Sequence, residues 1–179
     1  MSKKTQVYSK LVDLATRSKK HANALPAQGE IQTYWSGIGF TLAGQRYVVP
    51  MDEISEILSV PRYTHVPGVQ SWVRGIANIR GRLMPIMDML SFLDRKSDLK
   101  WRLRRLLVIE HGDLYSGLVV DRVLGMQHFP HNDFVNELPG DYALTQNYLK
   151  GGFKVEDGAW GLFSLHKLAD DPRFLHVAS

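Results

Sequence analysis

Few residues in this 179-residue chain stand at the spacings that chemistry needs. His128 and His131 are separated like a pair of metal ligands. Pro130 between them prevents a helix from presenting both to one ion, and neither an HExxH run nor any cysteine accompanies them. Asp88, Asp121 and Asp141 end apolar runs, where paired carboxylates could move protons for a substrate. Aspartates at strand ends also bond the local backbone, and no pattern turns two of these acids toward each other. GxSxG, Walker and Rossmann patterns are missing, and no glycine-rich spot opens a helix as a phosphate cradle does. The reading is of a protein that is not an enzyme and needs neither metal nor cofactor.

Binding chemistry is better represented. Lys100-Trp101-Arg102-Leu103-Arg104-Arg105 places cations beside an aromatic ring, the composition that tracks phosphates and stacks a base. The same run immediately precedes a strand and reads equally as its solvated lead-in. A formal net charge of +4 is mild for a nucleic-acid binder, though it can draw an acidic partner surface. Ile54 and Ile57 beside Glu56 are either core residues or an apolar patch with a charge at its rim, and apolar patches of that kind anchor protein partners. In Gly75–Met89, GIANIRGRLMPIMDM, Arg-Gly-Arg interrupts apolar strand material. Pro85 lacks a backbone donor, so its strand is expected at a sheet edge or a bulge.

The elements that must position these residues are mostly strands. One helix is predicted over 5–24, where Val7, Leu11, Leu14 and Ala15 share a face and Pro26 follows the last turn. Strand pairs are then predicted around Ala43-Gly44, around Arg80-Gly81-Arg82, around His111-Gly112-Asp113 with Ser116 to Met126 as its second strand, and around Asp157-Gly158. Residues 60–72 carry Pro61 and Pro67-Gly68 and read as loop, residues 94–100 as a polar linker, and 165–171 as a short helix ended by Pro172. The segment GIANIRGRLMPIMDM aligns without a gap on GGFKVEDGAWGLFSL, and GQRYVVPMDEISEI resembles GDLYSGLVVDRVLGM. Two small β-barrels of one plan are therefore expected, sharing a core because neither buries enough alone. The division read from the chain is a helical extension at 1–29 and one domain at 30–175.

Absence of cysteine removes disulfides, thiolate zinc sites and thiol catalysis, and fits a reducing compartment. No apolar run reaches the ~20 residues of a membrane helix, and the N-terminal stretch lacks a signal-peptide core. An intracellular protein is expected.

GIANIRGRLMPIMDM resembles the G-x-x-N-[LI]-R-G-x-x-x-P-[IV]-x-D-[LM] block of the CheW-like chemotaxis coupling family. ISEIL at 54–58 and LLVIEHGDLYSGLVVDRVLGM at 106–126 resemble two more of its segments, and the likeness runs from about 35 to about 169. The N-terminal extension, WSGIGF, GMQHF and DPRFL are similar to the adaptors of type IV pilus chemosensory systems. The resemblance implies a mainly β fold of two SH3-like five-stranded barrels around a shared apolar core; the N-terminal helix lies outside that core, and a short helix is expected at the C-terminus. It implies a non-catalytic adaptor that joins the regulatory domain of a CheA-type histidine kinase to the cytoplasmic tip of a methyl-accepting receptor, cytoplasmic and recruited to polar arrays, in control of twitching motility. Ile54, Glu56 and Ile57 match its partner-binding positions, and Gly75, Arg80 and Gly81 its coupling block. Arg82, Pro50 and Met51 depart from the usual pattern, which implies poor exchange with a general chemotaxis adaptor. Arg80 is expected to pair with Glu56 across neighbouring strands. The other reading carried forward is a small β-barrel that binds nucleic acid.

Overall fold

The computed structural model describes residues 33–112 and 114–178, and the helix expected at 5–24 lies outside them. Eleven strands fill most of this span. β1 (Tyr34–Leu42) and β2 (Gln45–Pro50) form a hairpin; β3 (Glu56–Ser59) follows a 3-10 turn at Met51–Glu53; β4 (Val73–Ile79) and β5 (Arg82–Asp88) form the second hairpin, ending in the one-turn helix α1 (Met89–Phe92). The second half has β6 (Arg105–His111), β7 (Leu114–Val120), β8 (Arg122–Pro130), the two-residue β9 (Phe134–Val135), a 3-10 stretch at Gly140–Tyr148, β10 (Leu149–Val155), β11 (Gly158–Phe163), α2 (Leu165–Ala169) and α3 (Pro172–Leu175).

The strands make two sheets, ordered β8-β1-β2-β11-β10-β9 and β3-β6-β7-β5-β4. Each sheet combines the first hairpin of one half with the second hairpin of the other, and each half lends its third strand to the far sheet. β3 pairs with β6, β8 pairs with β1, and β2 and β7 run parallel to β11 and β5. The internal repeat seen in the sequence is thus a repeat of structure, with the halves interleaved.

Three apolar clusters account for the arrangement. Ala77, Met84, Ile86, Leu106, Val108 and Val119 lie inside the five-stranded sheet, with Leu58 of one edge and Ile79 of the other packed on them. The sheet therefore wraps around its own core. Val48, Phe129, Phe153, Trp160 and Leu162 do the same for the six-stranded sheet. The largest cluster draws Phe40, Tyr47 and Val49 from one sheet and Leu107, Ile109 and Leu118 from the other, and joins them. At roughly 25 cal/mol per Å² of buried apolar surface, that shared cluster is the main force between the sheets.

Several sequence expectations shift by a residue or a strand. Ser116 to Met126 is not one strand. It breaks at Asp121, where the chain leaves one sheet for the other, and apolar residues resume after Arg122. The last hairpin turns on Glu156-Asp157, while Gly158 opens β11 with φ +132°. β5 is an internal strand, not an edge. Pro85 is tolerated because Ile76, opposite it, gives both its backbone groups to Thr64, so the Pro85 nitrogen faces β7, where ladder pairing begins only at Ile86. Pro172 begins a helix as well as ending one: Asp171 caps α3 and Pro172 takes its first position, where the missing donor costs nothing.

Candidate functional site

Arg80 and Gly81 form the two-residue turn between β4 and β5, both with positive φ, +51° and +83°. Two such residues give the turn the twist that a tight hairpin needs. Gly81 adopts it freely. Arg80 adopts it at a cost, and Asn78 helps by accepting the Gly81 amide hydrogen at 2.8 Å. The turn swings the Arg80 side chain toward β3, where its Nη2 donates to Glu56 Oε1 at 2.5 Å. The pair expected from the sequence is present, but its strands are not neighbours. β3 and β4 are the two edges of the five-stranded sheet, so the contact spans the gap that closes it. Arg80 is 79% exposed and Glu56 25%, so a partner can still reach the guanidinium.

Next to Glu56 lies an apolar groove of about 260 Å³, lined by Ile38, Met51, Ile54, Ser55, Glu56 and Ile57. Ile38 comes from β1 of the six-stranded sheet and Ile57 from β3 of the other, with Met51 and Ile54 on the connection between them. Ile57 is 39% exposed, while Ile54 packs against the shared core. The two readings of these isoleucines thus divide: Ile54 is mostly core support and Ile57 mostly surface. Met126, opposite Ile38 on β8 and 51% exposed, extends the strip. Unbranched methionines at 51 and 126 let such a surface adjust to the shape of an occupant.

Gly75 does not reach this surface. It is buried, with φ +147°, and a Cβ there would lie 2.2 Å from the Thr64 carbonyl oxygen. The loop at 63–64 crosses directly over it, which accounts for glycine. Sequence reasoning passed over Leu83, which is 70% exposed one strand position past the turn. Strict alternation with buried Met84 and Ile86 would have placed it outward. Arg82 pairs with Glu110 at 3.0 Å and stacks over Tyr115 at 3.8 Å, so the departure at 82 gives the hairpin a second ion pair on β6.

The basic run at 100–105 does not present its cations together: Lys100 and Arg102 are exposed, while Arg104 and Arg105 are engaged within the protein. Arg104 is 3% exposed and donates to both oxygens of Asp88 at 2.7 and 3.1 Å. The Arg105 guanidinium bonds the carbonyls of Leu103 and Arg104. The Trp101 ring is covered by Arg74 and Arg104, with centroid distances of 4.9 and 5.2 Å. A ring already stacked by guanidiniums is poorly placed to receive a base. Asp88 and Asp121 do converge, on Arg104, while Asp141 is exposed in the 3-10 stretch. His128 bonds Ser36 on β1 and His131 opens a separate turn.

A protein-family model described as the CheW-like domain matches residues 36–173. The chain is 48% identical to Protein PilI of Pseudomonas aeruginosa over 94% of each chain. It is 30% identical to the chemotaxis protein CheW of Helicobacter pylori over 83% of this chain and 89% of that one. The scaffolding protein TtCheW of Thermoanaerobacter tengcongensis, at 21% identity, superposes with a TM-score of 0.67 over 79% of this chain and 96% of its own, a likeness of fold. By sequence and by architecture, the chain belongs to the CheW-like family.

Proposed function

We propose that this chain is a non-catalytic adaptor that couples methyl-accepting chemoreceptors to a CheA-type histidine kinase in the chemosensory pathway of type IV pili, which governs twitching motility. The observation that carries the reading is the apolar groove of Ile38, Met51, Ile54 and Ile57, rimmed by the Glu56–Arg80 pair. An exposed apolar strip with a charged rim suits the apolar face of a helix or a barrel surface, and 48% identity along nearly the whole chain to PilI favours the pilus branch. The occupants are the kinase's regulatory domain and the cytoplasmic tip of a receptor. The groove supplies contact area, and the ion pair holds its β3 wall in place. Among the described residues no helix is long and apolar enough to cross a membrane. Membrane association would therefore come through the receptor, and the adaptor would sit in the cytoplasm at polar receptor arrays.

Calorimetric titration of the cognate kinase's regulatory domain with the wild-type chain and with Ile57→Glu tests this. Wild type binds, and the variant, with a charge in the groove, binds at least tenfold more weakly. Absence of wild-type binding removes the adaptor reading. Nothing favours nucleic acid as a ligand, since Arg104 is buried and Trp101 is already stacked.

A further inference from the structure

One polar cluster lies outside the groove and links the two sheets. Arg104 donates to Asp88, at the end of β5, and to the Val119 carbonyl on β7. Its Nε is buried without a hydrogen-bond partner, 3.6 Å from Asp121 Oδ1. Asp121 is the single residue between β7 and β8, where the chain crosses from one sheet to the other. Its backbone amide donates to Thr41 O at 3.1 Å, and its Oδ2 accepts from the Ala43 amide at 3.0 Å, so it grips the β1–β2 hairpin of the far sheet. Its Oδ1 accepts from Ser97 Oγ, on the linker between the halves. A cleft of about 230 Å³ borders Ser97 and Asp121.

We propose that Asp121, acting with Arg104 and Asp88, is the positioning residue that fixes the two sheets relative to each other and so sets the width of the groove. The groove has one wall from each sheet, Ile38 and Ile57, and an apolar core resists separation more than it resists sliding, because burial is non-directional. A charged hydrogen-bond network is directional. Here hydrogen bonds join Asp88 of β5 to Arg104 and Asp121 to the β1–β2 turn, and an ion pair of 3.6 Å between Arg104 Nε and Asp121 connects the two. Ser97 and Arg104 Nε compete for the same Asp121 oxygen, so the linker serine tempers the link. This role rests on the adaptor reading for its consequence, and on geometry alone for its existence.

The chain has no cysteine, so Ser59→Cys on β3 and Lys154→Cys on β10 can carry one spin label on each sheet without competing thiols. Double electron–electron resonance then gives the distance distribution between the sheets. Asp121→Asn removes the charge that faces Arg104 and is expected to broaden the distribution, while unlabelled Asp121→Asn binds the kinase regulatory domain at least tenfold more weakly. Ser97→Ala frees Oδ1 for Arg104 and is expected to leave the distribution as narrow as in the parent or narrower. Loss of packing alone would move both variants the same way, so broadening in Ser97→Ala overturns the proposal. An unchanged distribution in Asp121→Asn also overturns it, and Ser97→Ala decides the matter if Asp121→Asn does not fold. The distances need no partner, so wild-type failure to bind the kinase domain would count against the adaptor reading and leave the positioning role standing.

Discussion

The hairpins β4–β5 and β10–β11 are the same backbone unit used twice. Both are antiparallel pairs joined by two residues, both carry a register irregularity near a positive-φ glycine (Gly75, Gly151), and each leads into a short helix. They differ in the charge of the turn. Arg80 reaches across an open gap to Glu56 on the opposite sheet edge. Asp157 instead takes Arg46 of β2, the strand next to β11, at 2.6 Å. The first turn closes a barrel and the second staples strands that already adjoin. The residue that caps each following helix differs too. Asp88 caps α1 with a carboxylate, and Arg104 compensates its charge. Neutral Ser164 caps α2, and buried Glu53 reaches in from the other half to accept the Leu165 amide hydrogen at 2.7 Å, with Lys150 at 3.1 Å. One scaffold thus carries two opposite charge schemes, and of the two turn pairs only Arg80–Glu56 borders the groove.

The sharpest way to break this contrast is Arg104→Ala, which leaves Asp88 charged and unpaired in the interior. A loss of about 3–5 kcal/mol is expected, read from urea unfolding. A loss under 1 kcal/mol would mean that Asp88 can be solvated where it stands. Glu53→Gln, the corresponding lesion at the helix after the second of these hairpins, keeps an acceptor for Leu165 and is expected to cost about 1–3 kcal/mol. If it costs more than Arg104→Ala, the ranking of the two schemes is reversed.

A pH titration separates the schemes at the C-terminus. Hydrogen bonds from Arg173 hold the Asp171 carboxyl down at about 2, and burial pushes the Tyr148 phenol that donates to it at 2.5 Å up to about 12. The lowered acid stabilises the fold in its ionised form. That contribution is complete above the ordinary value of 3.8 and is lost as pH falls through about 2. The raised phenol works the other way, stabilising below about 10 and losing effect as pH rises through about 12. Stability measured in Asp171→Asn should therefore be flatter between pH 4 and 2 than in wild type. Ultraviolet titration should show Tyr148 and Tyr47, also pushed up to about 12 by burial, ionising only with alkaline unfolding.

The smallest thermal effect, and the most informative functional one, comes from the turns themselves. Arg80→Ala and Arg46→Ala each remove one exposed or half-exposed pair and are expected to change stability by about 0–1 kcal/mol. Only Arg80→Ala is expected to uncouple receptor state from kinase activity in a reconstituted assay. Equal loss of coupling in both would dissolve the distinction between the hairpins.

Much of the fold could be read from the chain because turns announce themselves locally. Ala43-Gly44 and Arg80-Gly81 sit where the glycines put them, and a gapless alignment of 75–89 on 151–165 foretold equal hairpins. What failed depends on residues far apart in sequence. Arg104 read as part of a cationic run because its partner Asp88 lies 16 residues away, and no local pattern records that the two meet in the interior. Ser116 to Met126 reads as one strand because apolar residues resume directly after Asp121-Arg122, and nothing local records that the chain changes sheet there. Pro85 reads as an edge or bulge signal, and the bridge from Thr64 that makes it acceptable inside a sheet comes from a loop. The pairing of Ile57 with Glu56 and Arg80 was legible; that Ile38 and Met51 complete the groove follows only from the exchange of strands.

That exchange has a consequence for how the molecule comes into being. Tyr34 pairs with Pro130, so although β2 takes one edge of the first strand at once, the other edge waits for nearly a hundred residues of synthesis before β8 exists. Contacts of such separation are slow to form, and a nascent first half would display an unfinished edge until β8 arrives. Cut at the 94–100 linker, neither fragment would own a complete sheet, because each sheet takes strands from both halves.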